Sequence, residues 1–198
     1  MRIAIVLAFL SVLVAAPVSS QELSTEPALV RCPSVLGVGV ESEIPFCDVK
    51  VQVDPELGVQ VELPPRRGEA TLSFNLHARH AYSQREAENG RAFTQYLASV
   101  AIATMEGEII GRGAVLSVFR TAADLVDRVS GGAGPSGLKA VAPTGWERVY
   151  ITIPLDLERV VIVGQKLDII RIDGRDSFAD LGRPVAVLSE ARLKYQPE

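Results

Sequence analysis

Apolar and polar residues alternate one by one over several stretches of this chain, and this pattern restricts the folds that the sequence permits. In residues 47–53 and 72–78 every second side chain is apolar or small, as in a strand that buries one of its faces. Residues 59–63, 148–153 and 185–195 repeat the pattern. Because the strands follow one another with few intervening helices, the sequence predicts a mainly β protein with antiparallel sheets.

The segments between the strands predict how the strands are connected. Residues 47–53 and 59–63 flank a five-residue turn and predict a hairpin. Residues 93–105 and 109–119 flank a shorter turn and predict a second hairpin. Within its second arm, two glycines predict a bulge or a close backbone approach: Gly111 and Gly113. We therefore predict an antiparallel β-sandwich of Ig-like or jelly-roll-like type.

One segment has helical spacing and interrupts the series of strands. Thr121 is a suitable N-cap, Asp124 follows it by three residues, and glycines end the segment after Ser130. Its apolar side chains fall on one face: Ala122, Leu125, Val126 and Val129. We therefore predict one short helix, near residues 121–130, inserted among the strands.

The N-terminal residues have the order of a secretory signal peptide. A positive charge at Arg2 precedes an apolar run that is short for a membrane span, and small residues precede a cut after Ser20. We predict that residues 1–20 are cleaved, that residues 21–30 form a flexible mature N-terminus, and that residues 31–198 form a single β-sandwich domain. The mature protein is then exported to the periplasm or the extracellular space.

Export affects the interpretation of the two cysteines, Cys32 and Cys47. Disulfide bonds persist outside the cytoplasm, and an exported chain with two cysteines is expected to pair them. Free or reactive thiols are the alternative. A thiol nucleophile or a metal site would need His or acidic partners that the neighbouring sequence does not supply. We therefore predict an intramolecular disulfide.

Charge and hydropathy argue against a nucleic-acid partner and against a transmembrane segment. The formal net charge is −4, which does not suit a protein that binds nucleic acid through clustered Lys and Arg. After the signal peptide, no apolar run reaches the length of a transmembrane helix. We therefore expect no nucleic-acid partner, no transmembrane segment after signal removal, and no cofactor.

Two features resemble sites of catalysis or cofactor binding. Residues 132–137 match the glycine pattern of dinucleotide-binding loops, but a predicted helix precedes them where a strand is required. His77 and His80 lie three residues apart, so on a continuous strand they point to opposite faces and cannot share a metal ion; only a break at Arg79 would let them converge. The sequence therefore predicts neither a metal site nor a nucleotide site.

Three function classes fit these observations. The first is a non-catalytic module that binds a partner protein, glycan or surface through loops, with Ser136, Lys139 and Trp146 as its candidate residues. The second is a small-ligand-binding β-barrel. The third is an exported hydrolase with unrecognised residues, in which Ser136 would act with a histidine. We favour the binding module, because no convincing catalytic set is present, and expect the protein not to be an enzyme.

Overall fold

In the part of the chain that the structure describes, most residues belong to two antiparallel sheets of six strands each. The computed structural model describes residues 22–81, 83–134 and 137–198, so the predicted signal peptide and Ser136 lie outside the described residues. The prediction of an antiparallel β-sandwich is confirmed. The strands are β1 (Ser24–Pro27), β2 (Leu29–Arg31), β3 (Val35–Val38), β4 (Pro45–Lys50), β5 (Val59–Glu62), β6 (Arg66–Ala81), β7 (Thr94–Ala103), β8 (Ile109–Phe119), β9 (Val141–Ile153), β10 (Arg159–Arg171), β11 (Gly174–Phe178) and β12 (Pro184–Pro197).

Each sheet is built around its longest strands. In the first, which we call sheet A, the strand order is β3-β4-β12-β6-β9, and β1 also pairs with β12. In the second, sheet B, the order is β2-β5-β10-β7-β8, and β11 also pairs with β10. Strands β9 and β8 are therefore edge strands of their sheets.

The apolar faces of the two sheets pack against each other to form the main core. In β6 the alternating residues Leu72, Phe74 and Leu76 are completely buried, as their pattern predicts. They belong to the same apolar cluster as Ile102 of β7 and Ile162 of β10. Because side chains from both sheets fill the interior, the fold is a packed sandwich and not the ligand-holding barrel of our second hypothesis.

The hairpin predicted from residues 93–105 and 109–119 is confirmed. Strands β7 and β8 pair along their whole length, with an irregularity near Ile102. A methyl group at Gly111 would stand 2.6 Å from Ile151 Cδ1, and one at Gly113 would stand 2.9 Å from Val149 Cγ2. Both neighbours lie on β9 of the other sheet, so these glycines allow the close approach that the sequence predicted.

The hairpin predicted from residues 47–53 and 59–63 is wrong. Strand β4 lies in sheet A and β5 in sheet B, so the two segments do not pair. The connection between them is a 3-10 turn, Pro55–Leu57, in which the Asp54 side chain accepts a hydrogen bond from the Glu56 N–H. This turn carries the chain from one sheet to the other.

The α-helix predicted near residues 121–130 is also wrong. Only one 3-10 turn forms there, Ala122–Asp124, in which the Asp124 carboxylate accepts a hydrogen bond of 2.8 Å from the Thr121 N–H. The rest of the segment forms extended backbone contacts, which leave its N–H and C=O groups unable to form helical bonds. A short α-helix, Gln84–Glu88, instead lies between β6 and β7.

The segment that we expected to be flexible, residues 21–30, contributes two strands. Strand β1 pairs with β12, and β2 pairs with β5. The Tyr195 hydroxyl donates a hydrogen bond of 2.7 Å to Glu26 Oε1 and adds a side-chain contact to this pairing. The residues expected to fray find backbone partners in strands far away in the sequence.

The predicted disulfide between Cys32 and Cys47 is confirmed. The two Cα atoms are 5.9 Å apart, within the range that disulfides adopt. Cys32 follows β2 of sheet B, and Cys47 lies in β4 of sheet A, so the bond joins the two sheets near the N-terminus.

Among the residues that the structure describes, no helix has the length and apolar character needed to cross a membrane.

Candidate functional site

A strap formed by residues 125–130 crosses the outer face of sheet A. At one end, Leu125 forms a β-bridge with Thr144 of β9, and at the other Val129 forms one with Gly39, just after β3. Beneath it lies a second apolar cluster, separate from the main core: Leu36, Phe46, Val129 and Val187. The strap therefore covers part of the outer face and leaves the rest open.

Asp127 fixes the middle of the strap to the loop after β3. Its carboxylate accepts hydrogen bonds from the Ser42 N–H at 2.8 Å and from the Ser42 hydroxyl at 2.5 Å. Burial opposes ionisation of this carboxyl group, but these bonds outweigh burial and lower its pKa. The strap is thus held by a charged anchor as well as by its backbone.

The glycine-rich connection that we singled out in the sequence is folded back on itself in its described part. The N–H groups of Gly131 and Gly132 both donate to the Gly137 carbonyl at 2.9 Å. The Lys139 ammonium group donates to the Leu36 carbonyl, and its charge helps to stabilise the carboxylate of the nearby Asp48. Lys139 lines a cavity beside the glycines, whereas Trp146 lines another cavity on the open part of sheet A.

The open part of sheet A holds a groove of about 540 Å³. We call it the outer groove. Strand β9 supplies one side of it, strands β6 and β12 supply the floor, and the strap and the loop after β3 supply a wall. Its lining residues are Ile44, Phe46, Asn75, His77, Val126, Trp146, Arg148, Tyr150, Ser189 and Glu190.

A β-bulge in β9 presents Trp146 to this groove. Two residues of β9, Gly145 and Trp146, stand opposite the single residue His77 of β6. Gly145 has a φ of +60°, which favours glycine, and a methyl group there would stand 2.5 Å from Ser117 Cβ. Trp146 and Tyr150 line the same groove and are 61% and 67% exposed. Two aromatic rings thus stand on one face of an edge strand.

A second bulge, in β12, brings Glu190 to the same groove. Two residues of β12, Glu190 and Ala191, stand opposite Phe74 of β6. Glu190 has a φ of +49°, a left-handed conformation that residues with a side chain adopt only at a cost. Its carboxylate accepts a hydrogen bond of 2.6 Å from Asn75 Nδ2. The strained residue is therefore placed where its side chain meets a polar neighbour in the groove.

His77 connects the two bulges. Its Nδ1 lies 2.7 Å from the Gly145 carbonyl oxygen, and its Nε2 lies 2.7 Å from the Ser189 hydroxyl. A carbonyl oxygen only accepts, so Nδ1 carries the proton and Ser189 donates to Nε2. Burial lowers the pKa of His77, which keeps the ring neutral near pH 7. The buried ring beneath the groove is thus hydrogen-bonded to both bulged strands and holds them in place.

Arg148 organises the polar side chains between the two aromatic rings. Its Nη1 donates to Asn75 Oδ1 and to the Glu190 carbonyl, each at 3.0 Å, and its Nη2 donates to Ser73 Oγ at 2.8 Å. A guanidinium group has five N–H donors, so these bonds fix its position without using all of them. The groove therefore offers a preorganised row of donors and acceptors.

His80 lies on the opposite face of β6 from His77, as the strand period predicts. Its ring stacks on Phe119 at 3.7 Å between centroids, and its Nδ1 lies 2.5 Å from the Tyr96 hydroxyl. Burial lowers the pKa of His80 to about 4.

Within the described ranges, no three His, Cys, Asp or Glu side chains stand close enough to hold a metal ion.

The sequence predicted one groove residue, Trp146, and missed its companions. Arg148 and Tyr150 lie at the same parity as Trp146 in β9, while Val149 and Ile151 at the other parity pack on the core. That parity was a usable signal for an aromatic face. Glu190 carried no such signal, because the bulge in β12 interrupts the alternation at that point.

Replacing Gly145 by alanine is expected to lower the free energy of unfolding by about 2 kcal/mol, because it adds both a clash and an unfavourable φ. Urea denaturation measures this loss. Gly182→Ala is the matched control, since Gly182 also has a positive φ, +79°, but has nothing within 4 Å of an added methyl group. Equal losses in the two variants would contradict the assigned close contact with Ser117.

Comparisons with known proteins find no family and only distant structural similarities. No protein-family model matches the sequence, and no curated protein matches it. Among solved structures, it is similar to the K1 cleaved adhesin domain of Lys-gingipain from Porphyromonas gingivalis, with 10% identity, a TM-score of 0.34, and coverage of 93% of this chain and 89% of that one. The K3 cleaved adhesin domain of the same protein is 11% identical and has a TM-score of 0.33. That match covers 77% of this chain and 73% of the other.

A third similar structure is the C-terminal family 22 carbohydrate-binding module of a Clostridium thermocellum protein. It is 12% identical, has a TM-score of 0.31, and the match covers 90% of this chain and 86% of that one. These neighbours are β-sandwich adhesin and carbohydrate-binding domains. At such low TM-scores the likeness assigns no function, and the chemistry of the outer groove has to carry the argument.

Proposed function

We propose that the protein is a non-catalytic binding module of an exported chain and that the outer groove holds its ligand. The observation that carries this proposal is the pair of exposed rings, Trp146 and Tyr150, on either side of a row of hydrogen-bonded polar side chains. Exposed aromatic side chains are enriched at binding surfaces, where their burial contributes most of the affinity. The disulfide supports export to the periplasm or the extracellular space.

The proposed site differs from the loop site suggested by the sequence. Trp146 belongs to both, but Lys139 is engaged with the Leu36 carbonyl, away from the outer groove. The strap contributes Val126 to the groove wall, so the long connection after β8 still shapes the site. A rigid sheet floor with a loop-built wall suits recognition, because the floor loses little conformational freedom when a ligand binds.

Trp146→Ala and Tyr150→Ala are each expected to weaken ligand binding about tenfold, which corresponds to about 1.4 kcal/mol for each ring. Immobilised protein is exposed to a panel of soluble polysaccharides and to the exported-protein fraction of the producing cell, and retention is quantified. Trp146 is the only tryptophan in the chain, so a shift in its emission reports contact at the groove.

Leu116→Ala is the matched control, because Leu116 is 61% exposed and lies in β8 of the other sheet. It is expected to retain the ligand as the wild type does. If retention survives both aromatic substitutions, or is lost equally in Leu116→Ala, the ligand binds elsewhere and the proposed function of the groove is wrong.

A further inference from the structure

We infer that the ligand of the outer groove is a linear polysaccharide, bound through several consecutive sugars that lie along β9. This inference rests on the proposed function of the groove and adds the chemical class of its ligand. Three properties of the site support it: the order of its apolar and polar parts, the kinds of hydrogen-bonding groups that it presents, and the distance between its rings.

The arrangement of polar and aromatic groups along β9 differs from that in protein-protein interfaces. Such interfaces have an apolar centre with aromatic anchors and a polar rim. In the outer groove, Arg148 lies between Trp146 and Tyr150 on β9 and donates a hydrogen bond to Asn75 on β6, so polar groups separate the two rings. A protein partner would have to desolvate these polar groups, whereas a sugar chain would exchange its own hydroxyl groups with them.

The hydrogen-bonding side chains of the outer groove are suited to binding sugar hydroxyl groups. A sugar hydroxyl both donates and accepts, so it is best satisfied where donors and acceptors stand side by side. Here the Arg148 guanidinium, the Asn75 amide and the Glu190 carboxylate are linked to one another. Aromatic rings beside such a row can stack on the apolar faces of sugar rings.

The distance between the two rings requires a chain of sugars. Trp146 and Tyr150 are four residues apart in β9, which corresponds to about 13 Å along a strand. One sugar ring is shorter than this separation, so only linked sugars can contact both aromatic residues at once. Because the strap is bonded to β9 at Pro143 and Thr144, beside Trp146, a longer chain would continue past the Tyr150 end of the groove.

The first test is native gel electrophoresis of the purified protein in gels that contain one soluble polysaccharide each. The panel comprises a β-1,4-glucan, a xylan, a mannan, a β-1,3-glucan, an α-1,4-glucan and a polygalacturonate. At least one of them is expected to retard the wild type and Leu116→Ala. Trp146→Ala and Tyr150→Ala are expected to be retarded at least tenfold more weakly, as measured by the polysaccharide concentration needed for half-maximal retardation.

The second test titrates the Trp146 emission with oligosaccharides of increasing length from the polysaccharide that binds. The affinity is expected to rise at least tenfold once the chain is long enough to reach Tyr150. In Tyr150→Ala this gain with length is expected to disappear, while Trp146 still responds. An affinity that is the same for a monosaccharide and a long oligosaccharide would overturn the inference that the sugars lie along β9.

The two proposals fail in different ways. If no polysaccharide of the panel retards the protein, the polysaccharide inference is overturned. If a protein from the exported fraction then binds, shifts the Trp146 emission and is lost in Trp146→Ala, the groove remains a binding site with a different ligand. If a polysaccharide retards the wild type and both aromatic variants equally, the ligand lies outside the groove, and both proposals are overturned.

Discussion

Replacing Cys32 and Cys47 together by alanine is expected to lower the free energy of unfolding by about 3 kcal/mol. The bond closes a loop with a sequence separation of 15, so its loss allows the unfolded chain many more conformations. Urea denaturation of the double variant and of the wild type measures the difference. Wild type treated with a reductant is expected to match the double variant, and the reductant is expected to leave that variant unchanged.

A loss of less than 1 kcal/mol would contradict this prediction. It would mean that the pairing of β1 with β12 and of β2 with β5 restrains the N-terminal segment without the bond. The same variant tests whether the disulfide supports the groove. Phe46, the neighbour of Cys47, lines the groove and contacts the His77 ring edge-on, with 5.6 Å between centroids. A shift in the Trp146 emission of the folded double variant would reveal such coupling.

Acidification from pH 6.5 to pH 4 is expected to reduce stability by about 3 kcal/mol through His80 alone. Burial lowers its pKa to about 4 in the folded protein, from 6.5 in the unfolded chain. Between these values the unfolded state binds a proton that the folded state excludes, so stability falls as the pH falls. Well above pH 6.5 the ring is neutral in both states, and well below pH 4 it is protonated in both, so there His80 adds no further change.

His80→Phe isolates this effect, because it keeps an aromatic ring against Phe119 and removes the titrating group. Its stability is expected to depend less on pH between 6.5 and 4 than that of the wild type. The remaining slope includes His77, whose pKa burial also lowers. Asp127 has a lowered pKa, so its stabilising contribution is lost only as the pH falls through the pKa of the folded state. Identical pH profiles for His80→Phe and wild type would contradict the prediction.

The sequence predicted the faces of the strands better than it predicted their partners. The alternation of apolar and polar residues shows which face of a strand is buried. It placed Phe74 in the core and the two histidines on opposite faces of β6. Pairing depends on contacts between distant segments, which alternation does not report. This is why β4 and β5, adjacent in the sequence, were expected to pair but lie in different sheets.

The helix error has a related cause. Thr121 does precede a turn of helix, the 3-10 turn Ala122–Asp124. Distant backbone groups decide the conformation of the residues after this turn. The Val126 N–H donates to the Pro143 carbonyl, and the Ser130 N–H donates to the Val38 carbonyl, both at 2.9 Å. A helical periodicity was present in the sequence, but bonds to both edges of sheet A replace the helical ones.

The candidate site was predictable only in part, because two bulges create it. The sequence singled out Trp146 as its lone tryptophan, and the parity of β9 would have added Tyr150. Asn75 and Glu190 meet across β6 and β12 only after an extra residue in β12 shifts the register. A bulge leaves little trace in a single sequence, so a site assembled between two of them becomes visible only in three dimensions.

The way in which the strap is attached bears on how the protein can diversify. Hydrogen bonds from backbone groups hold it at both edges of sheet A, through Val126 at one end and Ser130 at the other. Backbone attachments tolerate many side chains, so substitutions at solvent-facing strap positions such as Val126 can reshape one wall of the groove while the strands keep their register. Related chains, or a library randomised at these positions, can thus acquire new preferences without refolding the sandwich.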